Sequence, residues 1–164
     1  MEQLVQNATK FIKEIFQNDF SGHDFFHSMR VYRTAINIAE AEHAGMEVVA
    51  LAALLHDVGK PACFAQDETG RGHFKGHAQV GAAMAAEILR ELDAPKPLAA
   101  EVVWLIDHHM EPLPRNEAEL SADVERDGLT RTRQLLILKE ADARSKGVAE
   151  GQKDALPRIH ALQA

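Results

Sequence analysis

The chain has 164 residues, 46% of them hydrophobic, 5% aromatic and 26% charged, with a formal net charge of −7. That length suits one domain with a single sizeable core, and the acidic balance excludes a free-standing binder of nucleic acid phosphates, which needs a basic face. Alanine and leucine dominate, so the expected fold class is all-α, a single-domain helical bundle over residues 1–150 followed by a short tail, 151–164.

The opening stretch, "MEQLVQNATKFIKEIF", carries charges throughout, and no signal peptide is expected. Leu4, Val5, Ala8, Phe11, Ile12, Ile15 and Phe16 recur at helical spacing and predict a first amphipathic helix. "NDFSGHD" breaks it, with Asp24 placed to cap a second helix whose stripe is His27, Val31, Ala35 and Ile38 and whose end falls near Gly45. A third helix, about 47–57, runs through "LAALLHDVGK" and stops before Gly59 and Pro61. Its apolar run, 48–55, is far shorter than the roughly 20 residues that cross a bilayer. No membrane span is expected, and with Cys63 as the only cysteine, a cytoplasmic location is. Residues 62–75, "ACFAQDETGRGHFK", have glycines, charges and no period, and read as an exposed loop. A fourth helix over 77–92 aligns His77, Gly81, Met84 and Ile88; beyond "APKP" a fifth aligns Leu98, Val102, Leu105 and His109. Residues 111–128 form a polar stretch, after which Thr130 is placed to cap a last helix with Leu135, Leu138 and Asp142 on one face.

The same oddity recurs along these helices. His27, His77, His109 and Asp142 each continue an apolar stripe, and the third helix finishes on the adjacent pair His56 and Asp57. Buried ionisable groups cost several kcal/mol each unless paired or bound to a cation. A lone inward histidine is more often a hydrogen-bonded core residue, but aligned cases on helix after helix favour a shared ligand. Imidazole with carboxylate is a ligand set for first-row transition metals, and oxygen-richer sites accept magnesium. His43 and His160 read as surface residues, His23 lacks the pattern, and His73 lies in a basic, glycine-rich segment beside the cluster.

"HDFFHSMRV", "LLHDVGK" and "KEADARSKG", in that order, resemble the metal-binding signature of the HD superfamily of phosphohydrolases, and the resemblance covers about residues 22–147. The stretch from "ALLHDVGK" through "GHFKGHAQVGAAMAAEILREL" to "VVWLIDHHM" is similar to the HD domain of bacterial CCA-adding tRNA nucleotidyltransferases. No strand-rich segment with the nucleotidyltransferase pattern of Gly-Ser and paired aspartates accompanies it, so CCA addition is not expected.

The resemblance implies that His27, His56, Asp57 and Asp142 hold a divalent cation, drawn from manganese, iron, nickel, cobalt, magnesium or zinc. His77 and His109 fall at the family's additional histidine positions and imply a second ion, with His108 an alternate or additional ligand because the register of "DHH" is open. His56, Asp57 and Lys60 form the implied catalytic set. In related proteins the lysine reaches a substrate phosphate; the alternative here is a solvated Lys60 stabilising a helix end. Arg30, Lys75 and Arg144 are further candidates for substrate phosphate, Arg71 a weaker one, and Asp24 is placed to cap a helix or orient an imidazole. No glutamate stands in "HDVGK" to serve as a separate acid, which favours the multi-histidine, metal-assisted version.

The expected activity is metal-dependent hydrolysis of nucleotide phosphate esters, of the 2′,3′-cyclic phosphodiesterase, nucleotidase or phosphatase type. The alternatives are a nucleoside polyphosphate or dinucleoside tetraphosphate hydrolase, and a non-catalytic module that senses a nucleotide. The expected partner is a small nucleotide or phosphate ester, with neither stable nucleic acid binding nor membrane attachment. The leading and trailing helices suit either covering the core or forming a homodimer face.

Overall fold

The computed structural model describes residues 2–17 and 25–145; His23, Asp24, His160 and the tail 151–164 lie outside the described residues. Its elements are α1 (Glu2–Phe16), α2 (Phe25–Ala41), α3 (Met46–Leu55), α4 (Lys60–Cys63), β1 (Ala65–Gln66), β2 (Gly72–His73), α5 (His77–Glu91), α6 (Lys96–His108), α7 (Glu117–Asp127) and α8 (Leu129–Ser145). The expected all-α class is what the chain forms.

The sequence MEVVALAALL is apolar on every side, and a helix of that kind has to be surrounded. Accordingly α3 is the centre: Val49 through Leu55 are all buried, and α1, α2, α6 and α8 pack around it. α2 also packs along α8, and α5 lies against α6. α1 closes one side through Val5, Ala8, Ile12 and Phe16, its predicted stripe. Among the described residues no helix is long and apolar enough to cross a membrane.

Several boundaries differ from the sequence reading. The second helix ends at Ala41 rather than near Gly45: His43 takes a left-handed backbone, φ 55°, and the Ala44 N–H closes on the Ala39 carbonyl at 2.9 Å. Gly45 instead precedes α3 as its extended N-cap. α3 itself stops at Leu55, and residues 56–59 form a turn, so Asp57 stands on a turn and not on a helix. α6 starts inside "APKP", with Pro97 in its first turn, where a missing N–H costs nothing. Thr130 lies within α8 rather than capping it; Gly128, at φ 90°, makes the break before it.

Residues 62–75 are more ordered than an open loop. α4 leads into an antiparallel hairpin in which Ala65 faces His73. Asp67 organises its turn by accepting from the Thr69 and Arg71 backbone N–H groups at 2.9 and 3.0 Å, while His73 Nε2 donates to its other oxygen at 2.7 Å. The polar stretch 111–128 contains α7, which has no buried residue and therefore no apolar period to betray it. Its readable sign is a capping pair, the Asn116 side chain accepting from the Glu119 N–H at 2.9 Å.

One close approach fixes the turn after α3 against α5. A Cβ on Gly59 would stand 2.4 Å from the His77 carbonyl oxygen and 2.6 Å from the Gly81 nitrogen, both backbone atoms. Only a hydrogen side chain permits the contact, so Gly59→Ala is expected to cost about 2 kcal/mol or more. In thermal unfolding followed by circular dichroism, Tm should fall by roughly 4–8 °C; an unchanged Tm would show that the two segments part at little cost.

Candidate metal centre

The turn 56–59 carries the adjacent pair inward. His56 is fully buried and Asp57 is 2% exposed. α2 brings His27 and α8 brings Asp142 to the same point. His27 Nε2 lies 3.5 Å from Asp57 Oδ2 and 3.2 Å from Asp142 Oδ1; His56 Nε2 lies 3.1 and 3.4 Å from those same oxygens.

The other oxygen of Asp57 faces a second group. His77, first residue of α5, places Nε2 3.5 Å from Asp57 Oδ1, and His109, at the end of α6, places Nε2 3.7 Å from it. The two imidazole Nε2 atoms are 3.3 Å apart. Asp57 thus belongs to both sets of donors, one set on each oxygen.

Local hydrogen bonds aim the rings. His56 Nδ1 donates to the Ala53 carbonyl at 2.7 Å, His77 Nδ1 to Phe74 at 3.0 Å, and His109 Nδ1 to Ile106 at 2.6 Å. A carbonyl only accepts, so in each neutral ring Nδ1 holds the hydrogen and Nε2 presents a lone pair. His77 and His109 therefore turn lone pairs towards each other at 3.3 Å, an arrangement that asks for a cation between them. His56 Nε2 and Asp57 Oδ2 are enclosed, yet neither makes an aligned hydrogen bond. Around an ion with bonds of about 2.1 Å, neighbouring donors stand about 3.0–3.4 Å apart, close to the spacings in both groups. The residues fit a divalent metal.

The fields in the cluster point the same way. Burial opposes charge on His56, but the Asp57 carboxylate outweighs it and pushes the imidazole up to about 10. Burial likewise opposes charge on His27, and the neighbouring Asp142 and Asp57 carboxylates raise it nonetheless. Asp57 is held well below the usual carboxylate range, against its burial, by His56 and the surrounding imidazoles. His109 goes down, because burial prevails over Asp57. The first group, which favours positive charge on His27 and His56, favours a cation held in the same place.

The open register of "DHH" is resolved by geometry. His109 joins the cluster, whereas His108 stacks on Trp104 with ring centroids 4.1 Å apart, hydrogen-bonds the Trp104 carbonyl and faces Glu111. The expectation of His108 as a ligand is corrected: one residue is about 100° of helix turn, which carries it to the outer face.

Lys60 is 5% exposed, which rules out the solvated alternative. Its Nζ lies 3.3 Å from Asp57 Oδ2 and 5.2 Å from the centre of the Phe74 ring. It opens on a cleft of about 370 Å³ whose lining includes Phe74, Lys75, His77 and Met110. Lys75 is exposed there. Arg30 is exposed on α2, and Arg144 pairs with Glu140 at 2.7 Å. Residues 72–75 line the cleft, while residues within 111–127 line separate depressions. Phe74 and Met110 were not singled out from sequence; the signal for Phe74 was an aromatic ring in a glycine-rich loop beside a ligand, and Met110, 58% exposed, gave none.

The HD domain family model matches residues 24–147. The chain is 43% identical over 76 residues to the A-adding tRNA nucleotidyltransferase of Deinococcus radiodurans and 46% identical over 71 residues to the CC-adding tRNA nucleotidyltransferase of Thermus thermophilus. These matches cover 46% and 43% of this chain but only 18% and 16% of those proteins. In fold it resembles a crystal structure described as a predicted HD superfamily hydrolase from an uncultured Thermotogales bacterium, with a TM-score of 0.62 and 22% identity over 96% of this chain and 86% of that one. The matched span contains every donor of both groups, and the chain belongs to the HD domain family.

Proposed function

We propose that the protein is a metal-dependent phosphohydrolase that binds two divalent ions and cleaves phosphate esters of nucleotides. The observation that carries this reading is the division of Asp57, with Oδ2 among His27, His56 and Asp142, and Oδ1 between His77 and His109. Asp57 would so help hold one ion in each group, and a pair of ions there would stabilise charge developing on the attacking and leaving oxygens of a displacement.

Divalent ions there supply Lewis acidity towards a phosphoryl oxygen and a water acidic enough to attack near neutral pH. The chain's own residues supply the rest. The Nδ1–H bonds of His56, His77 and His109 aim their Nε2 atoms into the site, and burial encloses the centre on its protein side. Lys60 contributes a positive charge at the junction of centre and cleft, where a phosphate oxygen is drawn in and held. The cleft carries Lys60, Lys75 and His73, with no carboxylate in its lining. In a chain of net charge −7 that local excess favours an anionic substrate. Phe74 and Met110 add apolar surface suited to a nucleobase. The similarity to proteins that act on tRNA supports a nucleotide over another phosphate ester, with 2′,3′-cyclic nucleotides and nucleoside monophosphates as the favoured substrates.

Metal analysis of the purified protein tests the centre. Wild type should carry two ions per chain; Asp57→Ala, which removes a donor from both groups, should lose metal altogether, and His77→Ala should lose about one ion. Equal metal content in all three would sink the assignment.

The activity test is phosphate release or ring opening from cyclic, mono- and polyphosphate nucleotides, with magnesium, manganese, nickel and cobalt supplied in turn. Cyclic and monophosphate substrates should be cleaved, and Asp57→Ala should reduce the rate to background. Release from polyphosphates alone would move the reading to phosphoanhydrides, and silence across the panel with metal bound would favour a sensing module.

Lys75→Ala should raise KM about tenfold, the loss of one modest charge-assisted contact, with metal content unchanged. An unaltered KM would remove Lys75 from the substrate site.

A further inference from the structure

Lys139 has no part in either donor group, yet it stands one helical turn before Asp142 on α8, on the same face. Its ammonium reaches across to the end of α6. Lys139 Nζ donates to the His109 carbonyl at 3.1 Å and also to the Glu111 carbonyl. These carbonyls lie where α6 has ended, and a helix terminus leaves such groups without partners of its own. The bond to the His109 carbonyl is part-buried.

The consequence falls on His109. That residue is the C-cap of α6, and the chain after it leaves the helix at Met110, which is 58% exposed. The Nδ1 bond to Ile106 sets the tilt of the ring within its own turn. It does not fix where the turn sits relative to Asp57 and His77, which belong to other elements. Among the described contacts, Lys139 ties this turn directly to the helix that carries Asp142.

We propose that Lys139 is a positioning residue that holds His109 in the second donor group, tying that group to the helix that supplies Asp142 to the first. The inference rests on the two-ion reading. Partners that orient a ligand typically alter metal affinity by about 10–100-fold when removed. The loss should fall on the ion held by Asp57, His77 and His109 and spare the one held by His27, His56, Asp57 and Asp142.

The test is a cobalt(II) titration of the metal-free full chain, followed by visible absorption and calorimetry. Wild type should bind in two steps, and His77→Ala identifies the step that belongs to the second group. Lys139→Met should weaken that step about 10–100-fold and leave the other within about twofold. Lys139→Arg should restore much of the loss, since it keeps a cationic donor. Lys139→Gln gives the same comparison should the methionine variant fold poorly. An unchanged second step in Met and Gln variants overturns the proposal. So does an equal weakening of both steps with a lower Tm, the signature of a lysine that only caps α6. A single step in wild type would instead overturn the two-ion reading and this proposal with it.

Discussion

The organisation of this molecule turns on one carboxylate. Asp57 is 2% exposed, far from the water that normally stabilises its charge. A buried anion without compensation is strongly destabilising, and the fold answers with imidazoles drawn from α2, α5, the end of α6 and the residue beside it. His27 and His56 approach one oxygen, and His77 and His109 the other. α2, α5 and α6 each deliver an imidazole to this atom pair. α3 is the means: its wholly apolar surface makes it the axis of the bundle, so the turn at its end lies deep.

Three of the rings take their tilt from within their own turns. His56, His77 and His109 each donate Nδ1–H to a carbonyl three residues back, within their own turn. A carbonyl has two lone pairs, so those of Phe74 and Ile106 accept the backbone N–H as well as the ring N–H of the histidine three residues on. The cost of the site is therefore mostly electrostatic. Like-oriented lone pairs and opposed charges are held at contact distance by a scaffold that is itself apolar and well packed.

Much of this was legible in the sequence because a polar residue on an apolar stripe is a local anomaly. His27 sits with Val31 and Ala35, and all of them prove buried. His109 shares its stripe with Val102 and Leu105, which are fully buried. Periodicity put His109 on the stripe yet left His108 open as an alternate or additional ligand, since the place of two neighbours at a helix end depends on where the helix stops. Nor could it show α7, whose exposed face carries no apolar signal and whose formation rests on a cap and on packing against α8. The turn bearing Asp57 was read as helix because "LLHD" continues the apolar run, whereas the helix stops at Leu55; the close contact of Gly59 with α5 that accompanies this turn is tertiary. Lys139 was invisible for the same reason, as its partners lie 28 and 30 residues away.

The contact at Gly59 also bears on how this sequence can drift. The glycine nearly touches the backbone of His77 and Gly81, on an element that itself supplies a donor. A side chain at that point cannot be accommodated by repacking side chains, because the atoms opposite are main chain. Relief would require moving the start of α5, which would carry His77 away from Asp57. Selection on the centre thus reaches a residue with no chemistry of its own, and a lineage can lose that glycine only after it has ceased to need the second set of donors.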